Sequence, residues 1–146
     1  MDGICKRIEL WKSGDNPHYI YEFEQSLFVV GDHQFYKGYS LILLKRHVRE
    51  LHDLSEKEYL GLQKELFIAG KAVFKTFNPW KMNYTCLGNQ DEHIHWHIFP
   101  RYTDDKYHKN FPMTDYIRGE IQLDDYFISG QEAKNIAARI RKNISL

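Results

Sequence analysis

The chain has 146 residues, 42% hydrophobic and 27% charged, with 20 basic residues balanced by 20 acidic ones. That length suits one domain over residues 1–146 with one core. Zero net charge argues against a nucleic-acid partner drawn in by bulk electrostatics, and no apolar run approaches the roughly 20 residues of a membrane span.

The N-terminal "MDGICKRIELWK" lacks the apolar stretch of a secretory signal. Cys5 and Cys86 are far apart and form no CxxC motif, so reduced thiols in a cytoplasmic protein are expected. "HYIYEFEQSLFVVGD", His18 to Asp32, is β-branched and aromatic around a polar break at Glu24 to Ser26 and reads as a two-stranded hairpin. Tyr39 to Lys45, after the turn residue Gly38, reads as a short buried strand. Ser55 with Glu58 forms a capping box. Leu62, Leu66, Ala69, Val73 and Phe77 then recur at helical spacing until Asn78-Pro79 stops the helix. Lys81 to Gly88 reads as a strand, "GNQDE" as a turn, and "HIHWHIFPR" as the returning strand. Between Tyr102 and Ile128 the pattern is weaker: "YIRGEIQLDDYFI" suggests a strand, and Tyr107 to Met113 a solvated connection rather than a substrate-side loop. Ser129 with Glu132 caps a C-terminal helix whose inner face is Ala133, Ile136, Ala137 and Ile140. Strands, one long helix, then more strands give an α+β fold with a mainly antiparallel sheet, one long helix and one C-terminal helix.

The chemistry concentrates in His93, His95 and His97, three of the chain's eight histidines. On a strand alternate side chains share a face, so these imidazoles point one way and Ile94, Trp96 and Ile98 point into a core. A helix would scatter the rings by about 200° per two residues. Neighbouring histidines stand about 6.6 Å apart along a strand, so two can lean onto one metal ion but three cannot without a bend. A metal site would need another ligand, such as His47 or Asp32, and no spacing points to either. A row of imidazoles suits a phosphoryl substrate: one neutral ring attacks phosphorus while a neighbour assists the leaving group. Gly88, Asn89 and Gln90 in the preceding turn add close backbone approach and uncharged amides for phosphate oxygens.

"HIHWHIFPR" resembles the signature of the histidine triad (HIT) superfamily, including the Pro-Arg that often follows. Tyr21 to His47 resembles, without a gap, the family's first hairpin and third strand, and "VRELHDLS" leads into its long helix. The resemblance implies a five-stranded antiparallel sheet and usually a homodimer. It also implies hydrolysis or transfer of nucleotides, such as dinucleoside polyphosphates or nucleoside phosphoramidates, through a covalent nucleotidyl-histidine. Carried over, His95 is the nucleophile on the α-phosphorus, the carbonyl of His93 fixes its tautomer, and His97 contacts the phosphate and assists the leaving group. Asn89 or Gln90 binds phosphate, and Asp32 is the nearest carboxylate to the family's ribose-holding position, which falls on Gly31. No metal ligand set and no cofactor are implied beyond Mg²⁺ accompanying a polyphosphate substrate. Three departures stand out: Tyr39 replaces a histidine, Gly31 replaces the ribose-holding residue, and the zinc-binding CxxC of some relatives is absent. Two other readings stay open: a metal-binding hydrolase using two of the three histidines, and a nucleotide-binding protein without turnover.

Overall fold

A computed structural model describes residues 3–146, so the first two residues of the N-terminal stretch lie outside the described range. Strands β1 (Tyr19–Glu22), β2 (Ser26–Val30), β3 (Ser40–Leu44), β4 (Lys81–Thr85) and β5 (His95–Arg101) form one sheet in the order β1-β2-β3-β5-β4. Every neighbouring pair is antiparallel. The helices are α1 (Gly3–Lys12), α2 (Glu56–Phe77), the single turn α3 (Thr114–Ile117) and α4 (Gly130–Arg141). None of the described helices is long and apolar enough to cross a membrane.

Both capping boxes form. The Ser55 hydroxyl accepts from the Glu58 N–H at 3.2 Å, and the Glu58 carboxylate accepts from the Ser55 N–H at 3.0 Å. Ser129 and Glu132 repeat the pair at 3.2 and 2.8 Å. Each satisfies donors that a helix start leaves open. At its far end α2 stops where Asn78 turns left-handed (φ 48°) ahead of Pro79.

The sheet is covered on both faces. On one, Phe28, Val30, Ile42, Leu44 and Ile98 pack against Leu62, Leu66, Ala69 and Val73 of α2 and against Ala137 and Ile140 of α4. On the other, Leu27, Val29 and Leu43 pack against Ile4 and Ile8 of α1. Double cover explains why β2 and β3 read as unbroken apolar runs in the sequence.

Three expectations are corrected. α1 was not anticipated, although Ile4, Ile8 and Trp11 recur at helical spacing and face the sheet together. "YIRGEIQLDDYFI" contains no strand: it holds the end of α3 and a 3-10 turn at Leu123–Tyr126, and only Phe127 makes an isolated bridge, to His33. Gly119, left-handed at φ 72°, breaks the extension there. Finally, β5 begins at His95 rather than His93. Ile94 is held outside its ladder, its N–H donating to the Val48 carbonyl at 2.9 Å and its carbonyl accepting from the Leu44 N–H at 3.2 Å.

Candidate active site

His95 and His97 stand on the α1 side of the sheet, opposite Leu43 and Leu41 of β3. α1 covers part of this face, and an aromatic cluster of Tyr36, Tyr39 and Phe99 with Met113 covers another. A cavity of about 560 Å³ opens between them. Its floor is Leu41, Leu43, His95 and His97, and its walls are Ile4 and Arg7 of α1, the turn Gly88 to Asp91, and Met113, Tyr116 and Ile117 at α3. Asp91 ties one wall to another, its carboxylate accepting the Gly3 N–H at 2.7 Å at the start of α1.

The triad does not form a row. His95 and His97 converge, with their Nε2 atoms 3.1 Å apart and ring centroids at 4.8 Å. Nδ1 of His95 lies 2.6 Å from the carbonyl oxygen of His93. Since a carbonyl only accepts, Nδ1 carries a proton, and a singly protonated ring would present a lone pair on Nε2. The His95 ring is 6% exposed: it lies in the cavity floor rather than in open solvent. The ring of His93, 1% exposed, turns away. Its Nε2 donates to the Leu44 carbonyl at 2.6 Å. Only the backbone oxygen of His93 thus serves His95.

His97 is bonded on both sides: Nε2 meets His95, and Nδ1 meets the Tyr39 hydroxyl at 2.7 Å. Burial, reinforced by the neighbouring His95 and His33, lowers its pKa to about 4, so the ring is neutral at physiological pH. Burial likewise pushes the Tyr39 phenol well above its usual range, with Asp32 adding and Arg7 opposing.

Asn89 and Gln90 are exposed on the cavity wall. Asp32 also reaches the cavity, but it forms an ion pair with Arg7 at 2.5 Å and lies 3.8 Å from His18. Of the aromatics that could reach this face, Tyr39 does, whereas Phe28 belongs to the opposite core and Tyr36 is wholly buried. Tyr107 to Met113 is pinned down: Arg101 donates to the carbonyls of Tyr107 and Asn110, each at 2.8 Å, and the Met113 N–H donates to Tyr36 at 3.0 Å.

Behind the triad Cys5 does not stand alone. Its Sγ lies 3.4 Å from Nδ1 of His47 and 3.3 Å from Nδ1 of His93, and these two nitrogens are 3.2 Å apart. Zinc bonds of about 2.0–2.1 Å to nitrogen and 2.3 Å to sulfur place ligand atoms roughly 3.3–3.6 Å apart at tetrahedral corners. The donor set and spacing therefore fit three corners of a zinc site. The Leu44 carbonyl on Nε2 of His93 aims the Nδ1 lone pair into the cluster, the usual outer support of a metal-bound histidine. His47 is the candidate further ligand for a site on two triad histidines; of the three it meets His93, together with Cys5, while His95 and His97 bond to each other. Sequence spacing alone could not reveal a cluster whose members come from α1, the segment after β3 and the approach to β5.

A family model described as the HIT domain matches residues 14–104. Protein hit of Bacillus subtilis is 31% identical over 111 residues, covering 68% of this chain and 70% of the relative. An uncharacterized HIT-like protein of Methanocaldococcus jannaschii is 28% identical over 107 residues, covering 70% and 80%. Among solved structures, a hypothetical histidine triad nucleotide-binding protein of Sulfolobus tokodaii superposes with a TM-score of 0.73 at 15% identity, over 95% of this chain and 91% of that one. A zinc-bound histidine triad family protein of Mycobacterium smegmatis gives 0.64 at 21% identity, over 97% and 94%.

Proposed function

The chain belongs to the HIT family, and from that premise we propose that it is a nucleotidyl hydrolase or transferase acting at a nucleotide α-phosphate through a covalent nucleotidyl-His95. The observation that carries this reading is the bond from Nδ1 of His95 to the His93 carbonyl at 2.6 Å, with Nε2 in the cavity floor beside His97. Nε2 attacks the α-phosphorus as the bond to the leaving group breaks, and the leaving group departs with the electron pair. The positive charge gained by the imidazole is stabilised through Nδ1–H and the carbonyl. Water then attacks the phosphorus, the P–N bond breaks, and the mononucleotide leaves. Asn89 and Gln90 donate to the phosphate oxygens. Asp32, which follows Gly31 in the chain and pairs with Arg7 at the cavity, is the candidate to hold the ribose.

Replacing His95 with Ala tests this. Turnover of diadenosine tetraphosphate and of adenosine phosphoramidate should fall below detection, and the covalent adduct seen by intact-protein mass spectrometry should vanish. A variant that keeps most of its activity, with circular dichroism unchanged, rules the nucleophile out.

A second reading concerns Cys5, His47 and His93, which we infer hold a zinc ion with a structural role. The support is the 3.2–3.4 Å triangle of ligand atoms and the zinc-bound description of the Mycobacterium smegmatis relative. Bound there, zinc would fasten α1 to the segment bearing the His93 carbonyl. Untagged protein should carry about one zinc per chain by elemental analysis and lose thermal stability to a chelator; metal-free protein of equal stability argues against it.

We also infer a homodimer, supported by the family and by the exposed apolar face of α2 beside the edge strand β4.

A further inference from the structure

Tyr39 is built into the site as firmly as the histidines. Its ring is 6% exposed and stacks at 4.7 Å on Phe99 and 4.6 Å on His33, centroid to centroid. It fills the space beside Gly31 so completely that a Cβ at position 31 would stand 2.1 Å from its Cδ1. Its hydroxyl is 2.7 Å from Nδ1 of His97.

The direction of that bond follows by elimination. As the nucleophile, His95 must present a lone pair on Nε2, and its one proton then sits on Nδ1, facing the His93 carbonyl. The 3.1 Å contact then requires the proton of His97 to sit on its own Nε2. Neutral His97 is left with a lone pair on Nδ1, and the Tyr39 O–H donates to it. Among the described residues, the titratable groups facing His97 are His95, Tyr39 and, beyond the tyrosine, His33, and none of these is a carboxylate; Asp32 and Arg7 act on Tyr39 from the cavity rim.

We propose that Tyr39 is a positioning residue that holds His97 as the neutral Nε2–H tautomer, so that the site selects nucleotides whose leaving group departs as an anion, namely phosphoanhydrides, over phosphoramidates. This inference rests on His95 being the nucleophile. With an anhydride, the new N–P bond forms as the P–O bond breaks, and the electron pair stays on a phosphate oxygen. That anion is stable near neutral pH and needs only a hydrogen bond from Nε2–H. With a phosphoramidate the pair would stay on nitrogen, which is too basic to leave without a proton. Neutral imidazole is a poor acid, and drawing a proton through it from Tyr39 would create a buried phenolate.

The test combines a spectrum with a substrate comparison. In ¹⁵N-histidine protein, the ring nitrogens of His97 are followed by NMR from pH 8 to 5 in the wild type and in Tyr39→Phe, which keeps the ring stack. The wild type should hold the neutral Nε2–H form throughout, whereas in Tyr39→Phe, with no donor on the Nδ1 lone pair, part of His97 should carry a proton on both nitrogens as pH falls toward 5. At pH 7 the wild type should favour diadenosine tetraphosphate over adenosine phosphoramidate by about tenfold or more in kcat/KM, and Tyr39→Phe should shrink that ratio several-fold, most strongly at lower pH. The proposal is overturned by a protonated or Nδ1–H His97 in the wild type, by equal or faster use of the phosphoramidate, by a ratio unchanged in Tyr39→Phe, or by turnover of neither substrate. Because the NMR spectrum needs no substrate, failure of the Tyr39 assignment is distinguishable from failure of the His95 mechanism, which the adduct reports.

Discussion

Gly31 and Tyr39 compete for one volume: with the tyrosine ring in place, no side chain fits at 31 without the ring shifting. Gly31→Ala should cost about 2–3 kcal/mol in urea unfolding, the scale of an overpacked core. In a Tyr39→Ala host the cost should drop by about 1 kcal/mol or more, because the methyl then has room. Equal costs in both hosts would show that the two positions are not coupled. His97 carries a second expectation. Its folded pKa, about 4, lies below the ordinary 6.5, so between these values the unfolded chain binds the proton that the folded chain refuses. Stability is therefore full above pH 6.5 and declines as pH falls toward 4. From pH 7 to pH 5 the loss from this one ring is about 2 kcal/mol. Burial lowers His18 and His33 in the same direction, so the difference between wild type and His97→Gln isolates the contribution. A variant with an unchanged pH slope refutes it. The alternation of residues 94–98 made His95 and His97 legible as partners on one face; nothing local marked Tyr39 as the third member, because its contact spans 58 residues of chain.

Among the elements, β5 does more than carry histidines. Arg101, two residues beyond Phe99 on the same face, is fully buried. Its guanidinium reaches Asn83 at 3.1 Å, Asp105 at 3.2 Å and two backbone carbonyls, and it lies 4.9 Å over the Tyr36 ring. Lysine cannot reproduce that fork, so Arg101→Lys should destabilise by about 3 kcal/mol. The segment that places Met113, Tyr116 and Ile117 at the cavity should loosen, and KM should rise more than kcat falls. Unchanged urea stability with unchanged KM would remove Arg101 from this role. The bounds of α2 and α4 were legible because capping boxes are local chemistry. α1 was missed although its apolar spacing is present, since ten residues with two buried side chains give a faint signal until Leu27, Val29 and Leu43 supply a surface to bury against. "YIRGEIQLDDYFI" misled because its short apolar alternation has no neighbouring strand to pair with except at one bridge.

At the scale of the whole molecule, Leu60, Phe67 and Phe74 recur seven residues apart along the outside of α2, 57%, 64% and 45% exposed, and Tyr84 of β4 reaches Gly70 of the same helix. β4 lies at the sheet edge next to this stripe. An apolar stripe flanking an open strand edge suits a second copy of the chain. Phe67→Glu should convert a dimer to a folded monomer in sedimentation at micromolar concentration, since the side chain is exposed in the single chain. A wild type already monomeric there overturns the dimer. The sequence by itself determined the strand that bears His95 and His97, the two capped helices and the α+β class, because strand periodicity and helix capping act between residues a few positions apart. Tertiary structure alone decided that His93 turns its ring from its companions, that Cys5, His47 and His93 meet, and that Tyr39 displaces any side chain at 31. Those contacts join residues brought together only by sheet order and two-sided packing, which no local pattern encodes.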